Sequence, residues 1–260
     1  MKNLIKSAGK AYFRARGHYP SKIQGRSVRV DPYHIAFWRA VAKDRWETST
    51  FDVISRYLTP ESTYIDVGAW IGPTVLHAAQ QCKTVYCFEP DPTALRHLNW
   101  NIELNKLRNV NVFGAALAAN GGMFQMASFG GEAGDSMTSL LQTESEHFIK
   151  VLALTWQDFL ADAQIEDFDL IKVDVEGAEF GLIPTMVDEL KEKKPALFLS
   201  THAPYLPTED RQAGMAALVD ALSFYPLVFD EFLNPIDPEE IKTAEAANAF
   251  GTYLFTFEEK

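Results

Sequence analysis

Apolar and polar positions alternate along this chain in two rhythms. From Tyr64 onward, short β-prone runs recur: "YIDV", "TVYCFE", "VNVFGA", "LIKVD", "ALFLS", "PLVFD" and "TYLFTF". Helix-period runs stand between them, "GPTVLHAAQQ", "PTALRHLNWNIELN", "AEFGLIPTMVDELKEK" and "TEDRQAGMAALVDAL". Strands alternating with helices imply βαβ crossovers and a mostly parallel sheet covered on both faces, an α/β fold of the doubly wound, Rossmann-like kind. Pro92, Pro184 and Pro207 fall where helices begin or bend. An insertion containing "GMFQMASFG", "SMTSLLQ" and "IKVLALT", with a glycine-rich stretch at 130–134, predicts extra strands or a hairpin before the helix "WQDFLADA".

Upstream, residues 2–16 carry a helical stripe, Leu4, Ile5, Ala8, Ala11, Tyr12 and Ala15, which Pro20 breaks. "SVRV" predicts a short strand, and a helical region follows from about Tyr33 to Leu58, interrupted near "KDRWETST". With no repeat and no low-complexity linker, the economical division is a partly helical extension, 1–46, and one domain, 47–260.

The net charge of −11 conceals an asymmetry. Residues 1–30 hold eight of the 24 basic residues and no acid, so sixteen remain against 35 acidic ones, about −19 for the rest. An acidic body disfavours nucleic acid as a partner. No apolar run approaches the roughly 18 residues that span a bilayer, and the start lacks the apolar core of a secretory signal. The two cysteines, Cys82 and Cys87, form neither a C-x-x-C pair nor a metal cluster. Buried reduced thiols and a cytoplasmic location are expected.

Candidate chemistry starts at "YIDVGAWIG". A buried strand ends in Asp66, and Gly68 and Gly72, four apart, then open a helix, an arrangement that lets backbone approach something closely. The next strand ends in Glu89, 21 residues after Gly68. A carboxylate at that tip can accept both hydroxyls of a ribose. The spacing G-x-x-x-G departs from the G-x-G-x-x-G of dinucleotide sites. An acid beside the turn suits a sulfonium cofactor better than a pyrophosphate, so S-adenosylmethionine is favoured over NAD.

"YIDVGAWIGPTVL", "CFEPDP" and above all "LIKVDVEGAE" resemble the three signatures of the FkbM-type methyltransferases, a branch of the class I S-adenosylmethionine-dependent enzymes. The resemblance spans roughly residues 47–203, with Trp70 where that family more often has Asn. It implies a seven-stranded sheet with an antiparallel last strand. It also implies that Gly68, Ala69 and Gly72 line the methionine portion of the cofactor, with Asp66 ordering the turn. Glu89 would hold the ribose beside Pro90 and Asp91, Ala116 would edge the adenine, and Glu47 and Thr50 would meet the amino-acid end.

Asp174 and His202 close two adjacent strands and are the candidate catalytic residues, placed to align an acceptor hydroxyl and take its proton. Asp174 also stands among the cofactor-binding candidates. Glu176 and Glu179 serve equally well as caps of the following helix. Asp174, Glu176 and His202 are acceptable ligands for a divalent cation, but no spacing rule supports one, so no metal is expected. His18, His34, His77, His97 and His147 lie away from strand tips and receive no role. The expected activity is O-methylation of a small-molecule hydroxyl on a sugar, polyketide or peptide natural product. An NAD-type oxidoreductase and a non-catalytic partner module are the alternatives. The basic arm, 1–30, is read as packing on the acidic body of its own or a second subunit, with an anionic surface or an import role as alternatives.

Overall fold

The computed structural model describes residues 2–128, 136–141 and 148–260, the first seven by backbone alone. His147, the glycine-rich stretch at 130–134 and the side chains of Leu4, Ile5 and Ala8 lie outside the described residues. The elements run α1 (Lys2–Arg16), β1 (Tyr19–Ile23), β2 (Arg26–Val30), α2 (Ile35–Val41), α3 (Thr48–Tyr57), β3 (Thr63–Val67), α4 (Pro73–Ala78), β4 (Thr84–Phe88), α5 (Pro92–Leu104) and β5 (Val110–Phe113). Then come β6 (Ala116–Leu117), β7 (Gly122–Ser128), β8 (Thr138–Ser139), β9 (Ile149–Leu154), α6 (Trp156–Ala163), β10 (Leu170–Val173), α7 (Glu179–Leu182) and α8 (Val187–Lys193). The chain closes with β11 (Ala196–Thr201), α9 (Arg211–Ala221), β12 (Leu227–Asp230), α10 (Pro238–Ile241) and β13 (Gly251–Thr256).

All seven predicted strands join one sheet, in the order β12-β13-β11-β10-β3-β4-β5. β3, β4, β5, β10 and β11 are parallel, and β13 runs antiparallel between β11 and β12. Buried aliphatic and aromatic residues cover both faces of β3 and β10, as a doubly covered sheet requires, and the apolar runs are interrupted only by Asp66 and Lys172, which face each other across the pair. The chain steps outward from β3 to β4 and β5 on one side and from β10 to β11 on the other. That reversal opens a crevice beyond the carboxyl ends of β3 and β10.

Three local differences from the sequence reading have physical causes. The helix has ended at Arg16 before Pro20, as expected, but Pro20 then sits inside a strand the sequence did not mark, β1, in a two-stranded ribbon with β2 where both strands are edges and a strand proline is tolerated. The single helix expected over "AEFGLIPTMVDELKEK" divides into α7, a 3₁₀ turn at Ile183–Thr185 and α8, because Pro184 cannot continue an α-helical ladder. "SMTSLLQ" yields only the two-residue β8, paired with β7 in the small β6-β9-β7-β8 sheet.

The segment before residue 46 shares a core with the rest of the molecule. Ile23, Val28, Val30, Trp38 and Val41 pack with Phe51, Ile71 and Leu76. Asn101 on α5 joins the two parts: its Oδ1 accepts from Asp31 N (2.6 Å) and its Nδ2 donates to Ile71 O (2.9 Å). This brace fixes the glycine turn from behind. On α1, Phe13 meets the edge of Tyr19 and the Arg14 guanidinium lies over Tyr33. Among the described residues no helix is long and apolar enough to cross a membrane.

Candidate active site

The turn after β3 is shaped by its own hydrogen bonds. Gly68 N (3.2 Å) and Ala69 N (2.9 Å) both donate to Phe88 O at the end of β4, and Trp70 N donates to Glu89 Oε2 (2.7 Å). Asp91 N donates to the other oxygen, Glu89 Oε1 (2.8 Å). Glu89 is thus buried and held by two backbone donors, with no cationic partner within ion-pair distance among the described residues. Burial pushes its carboxyl up to about 8, against the opposing pull of the Asp91 and Trp70 amides. Trp70 adopts φ +48°, a left-handed conformation that Asn accepts more readily than Trp. Its ring is kept there by edge contacts with Phe37 (4.7 Å between centroids) and His34 (6.0 Å).

Beyond β10, Asp174 Oδ2 accepts from Lys172 Nζ (3.1 Å) while its Oδ1 stands 3.5 Å from His202 Nε2. Glu176, at φ +51°, brings Oε2 to 3.5 Å from the same nitrogen. Glu179 is fully buried; its Oε2 accepts from Gly177 N (2.8 Å) and its Oε1 from His202 N (2.6 Å). Glu179 Oε1 also lies 3.3 Å from His202 Nδ1, at an angle short of a hydrogen bond, so that contact is electrostatic.

These neighbours set the charge states. Burial alone would raise Asp174, but Lys172 and His202 outweigh it and hold the carboxyl below its ordinary value. For His202 burial opposes the charge, yet Glu179, Asp174 and Glu176 push it up to about 9. Burial, only partly offset by His202, lifts Glu176 to about 7. A histidine so placed favours its protonated, donor form more than a free imidazole does.

Two cavities meet at this point. The first has an apolar slot from Trp70, Phe88, Leu117, Met126 and Leu140, with Glu89, Pro90 and Ala116 beside it. The second is wider and polar, lined among others by Glu47, Thr50, Ala69, Lys172, His202 and Phe250. Gly68, Trp70, Asp174 and Glu176 border both, so the two are compartments of one crevice.

The model of the FkbM methyltransferase domain matches residues 66–214, more than half of the chain. The chain belongs to the FkbM methyltransferase family. This methyltransferase is similar to an FkbM methyltransferase structure from Methylobacillus flagellatus, at 17% identity and TM-score 0.46 over 76% of this chain. It spans only 44% of that protein's length. It is also similar to a putative methyltransferase from Streptococcus mutans in complex with SAH, at 12% identity and TM-score 0.45 over 80% of this chain and 95% of that one. A third likeness, 9% identical with TM-score 0.43, covers 80% of this chain and 95% of an rRNA methylase from Streptococcus thermophilus. No curated protein matches the chain. The family match sets aside the dinucleotide oxidoreductase considered from the glycines.

Within this FkbM methyltransferase the crevice brings together Glu47, Thr50, Gly68, Ala69, Glu89, Pro90, Ala116, Asp174 and His202. Three expected cofactor contacts lie elsewhere. Asp66 is fully buried beneath the turn: Thr74 Oγ1 donates to its Oδ2 (2.5 Å) and Lys172 Nζ lies 3.7 Å from its Oδ1. It orders the turn, but its charge answers Lys172 and borders neither cavity. Asp91 is buried as the N-cap of α5, accepting from Thr93 N and Ala94 N, and its side chain is spent there. Gly72, at φ +89°, faces α5, where a Cβ would come within 2.5 Å of Leu98 Cδ1. The close approach it permits is to the protein's own core. Gly68, at φ +88°, likewise leaves no room for a Cβ beside the backbone carbonyl of Asp174, although it borders both cavities as well.

Other lining residues had no signature in the sequence. Met126, Ser136, Thr138 and Leu140 reach the first cavity from the insertion. Phe250 and Thr252 enter the second because β13 is antiparallel, so its beginning lies at the edge where the parallel strands end. An antiparallel last strand was the available clue.

Proposed function

We propose that this methyltransferase transfers a methyl group from S-adenosylmethionine to a hydroxyl oxygen of a small neutral or cationic acceptor. The carrying observation is the shared wall of the two cavities. A slot suited to a nucleoside opens, past Gly68 and Asp174, into a polar chamber large enough for a second small molecule. The residues fit the cofactor. Glu89, buried and without a cation among the described residues, keeps lone pairs for two ribose hydroxyls, whose hydrogen bonds would favour its ionised form against the burial that raises it, and Trp70, Phe88, Met126 and Leu140 form an apolar slot for adenine. Ala116 and Pro90 edge it. Glu47, Thr50 and Ala69 face the end where an ammonium and carboxylate would lie.

S-adenosylmethionine supplies a methyl group on a cationic sulfur. The chain's own part is alignment and proton handling. Asp174 Oδ1, ionised and not held by Lys172, accepts the hydrogen of the acceptor hydroxyl. Protonated His202 beside it steadies that carboxylate, and Phe250 offers an apolar wall. In the transfer the acceptor oxygen would take the methyl group, sulfur would keep the electron pair of the broken bond, and the hydroxyl proton would pass to Asp174 Oδ1 and on to solvent. The chamber's carboxylates, Glu47, Asp174, Glu176 and Glu231, disfavour a phosphate-rich acceptor such as RNA.

Incubation with methyl-labelled S-adenosylmethionine and a panel of polyhydroxylated and amino-bearing small molecules, with RNA alongside, tests the reading. Base-stable label in a small-molecule ether supports it. Label entering only RNA, or only base-labile esters, contradicts it.

A further inference from the structure

We propose that Asp174 Oδ1, Glu176 Oε2 and His202 Nε2 form a binding site for one divalent cation of the Mn²⁺ or Mg²⁺ kind, on the wall shared by the two cavities. The cation's catalytic part rests on the methyltransferase reading above; the site itself rests on geometry. His202 Nε2 stands 3.5 Å from each carboxylate oxygen, and all three atoms lie within 4.8 Å of one another. Adjacent donors around an octahedral ion of this size are about 3.0 Å apart, so each His202 contact needs to close by about half an ångström, and the two carboxylates move together with it.

The rest of the surroundings aims these three atoms at one point. Lys172 engages only Oδ2 of Asp174, leaving Oδ1 turned inward. Glu179 holds His202 from behind, through the backbone N–H at 2.6 Å and the charge contact to Nδ1 at 3.3 Å, so the buried ring presents Nε2. A carboxylate beside the second ring nitrogen is the group that, on taking that N–H as a hydrogen bond, orients metal-binding histidines. Glu176 reaches inward from a left-handed backbone that costs energy for a residue with a side chain. Asp66 and Asp174 flank Lys172, while Asp174, Glu176 and Glu179 stand around His202, so a dication that takes the place of the His202 proton keeps these carboxyl groups balanced.

One nitrogen and two carboxylates leave the remaining coordination positions to water and acceptor oxygens. With a cation there, His202 gives up its proton and Asp174 Oδ1 becomes a ligand instead of the acceptor of the hydroxyl hydrogen, and the cation acidifies the acceptor hydroxyl. Its proton passes to water, the oxygen–methyl bond forms, and the methyl–sulfur bond breaks with the pair kept by sulfur.

The test uses the full chain, freed of metal by chelator and dialysis, titrated with Mn²⁺ and followed by calorimetry and by the electron paramagnetic resonance of free Mn²⁺. The expected result is one saturable Mn²⁺ per chain, bound at least tenfold more weakly by Glu176→Gln, His202→Gln and Asp174→Asn. Thermal melts identify any variant that fails to fold, and the folded ones decide. Absence of saturable binding to the wild type, as when a protonated His202 alone bridges the carboxylates, overturns the proposal. So does equal binding by every folded variant. S-adenosylhomocysteine titrated into the same samples separates the two readings. Its binding without Mn²⁺ binding removes only the cation site, and Mn²⁺ binding without it removes only the cofactor reading.

Discussion

Glu179 accepts the backbone N–H of His202 at 2.6 Å, and so fastens the turn after β10 to the tip of β11. The same carboxylate accepts Gly177 N on its other oxygen, which makes one buried side chain the clasp of the "DVEGAE" segment. Glu179 touches neither cavity and is a positioning residue.

Glu179→Ala leaves two N–H groups unpaired in a buried place, each at a cost of about 1–3 kcal/mol. Denaturant unfolding is expected to show a loss within or above that range. Glu179→Gln, which keeps an acceptor oxygen, is expected to recover part of it. A helix-capping role alone would leave both variants within a few tenths of a kcal/mol of each other and of wild type.

Stability should fall as pH rises from about 6 to about 9. Glu89 (about 8), Glu176 (about 7) and His202 (about 9) all hold their protons more tightly in the folded chain than at their ordinary values. The native state therefore binds more protons than the unfolded one across this window, and each contribution is lost as pH passes the folded value. Asp31 has the opposite sign. Burial raises it, but the His34 and Trp38 hydrogen bonds outweigh that and bring it to about 2, so its contribution disappears only in acid. Urea unfolding at three pH values checks the slope, and a rise in stability toward pH 9 would contradict it.

Gly68→Ala places a methyl group against the Asp174 carbonyl, at a φ that side chains rarely adopt. Strain of this kind costs of order 1–3 kcal/mol, and the expected outcome is a lowered melting temperature together with lost cofactor binding. The turn is wedged against the end of β10, so fold and cradle fail together. A variant with wild-type stability and affinity would show that the turn has room.

The sheet was readable because its seven strands are nearly continuous apolar runs separated by amphipathic helices, a pattern that tertiary context does not override. Glu89, Asp174 and His202 were readable because parallel strands deliver whatever follows their last residue to one edge. Asp66, Gly72 and Asp91 share the same motifs but face inward. Which way a residue at a strand tip points depends on Thr74, Lys172, Leu98 and the first turn of α5, none of them marked in the sequence. The cluster of Asp31, His34 and His97 was equally hidden, since it needs a loop and α5 to meet. Phe250 became visible only through the direction of β13.

The most direct test of the cofactor pocket is calorimetric titration of S-adenosylhomocysteine into the wild-type chain and into Glu89→Ala. Loss of a carboxylate that accepts ribose hydroxyls is expected to weaken binding by about 2–3 kcal/mol, within the range for hydrogen bonds to charged groups, with one site per chain in the wild type. Binding to Glu89→Ala as tight as to wild type would remove Glu89 from the pocket, and no binding to the wild-type chain would contradict the cofactor assignment itself.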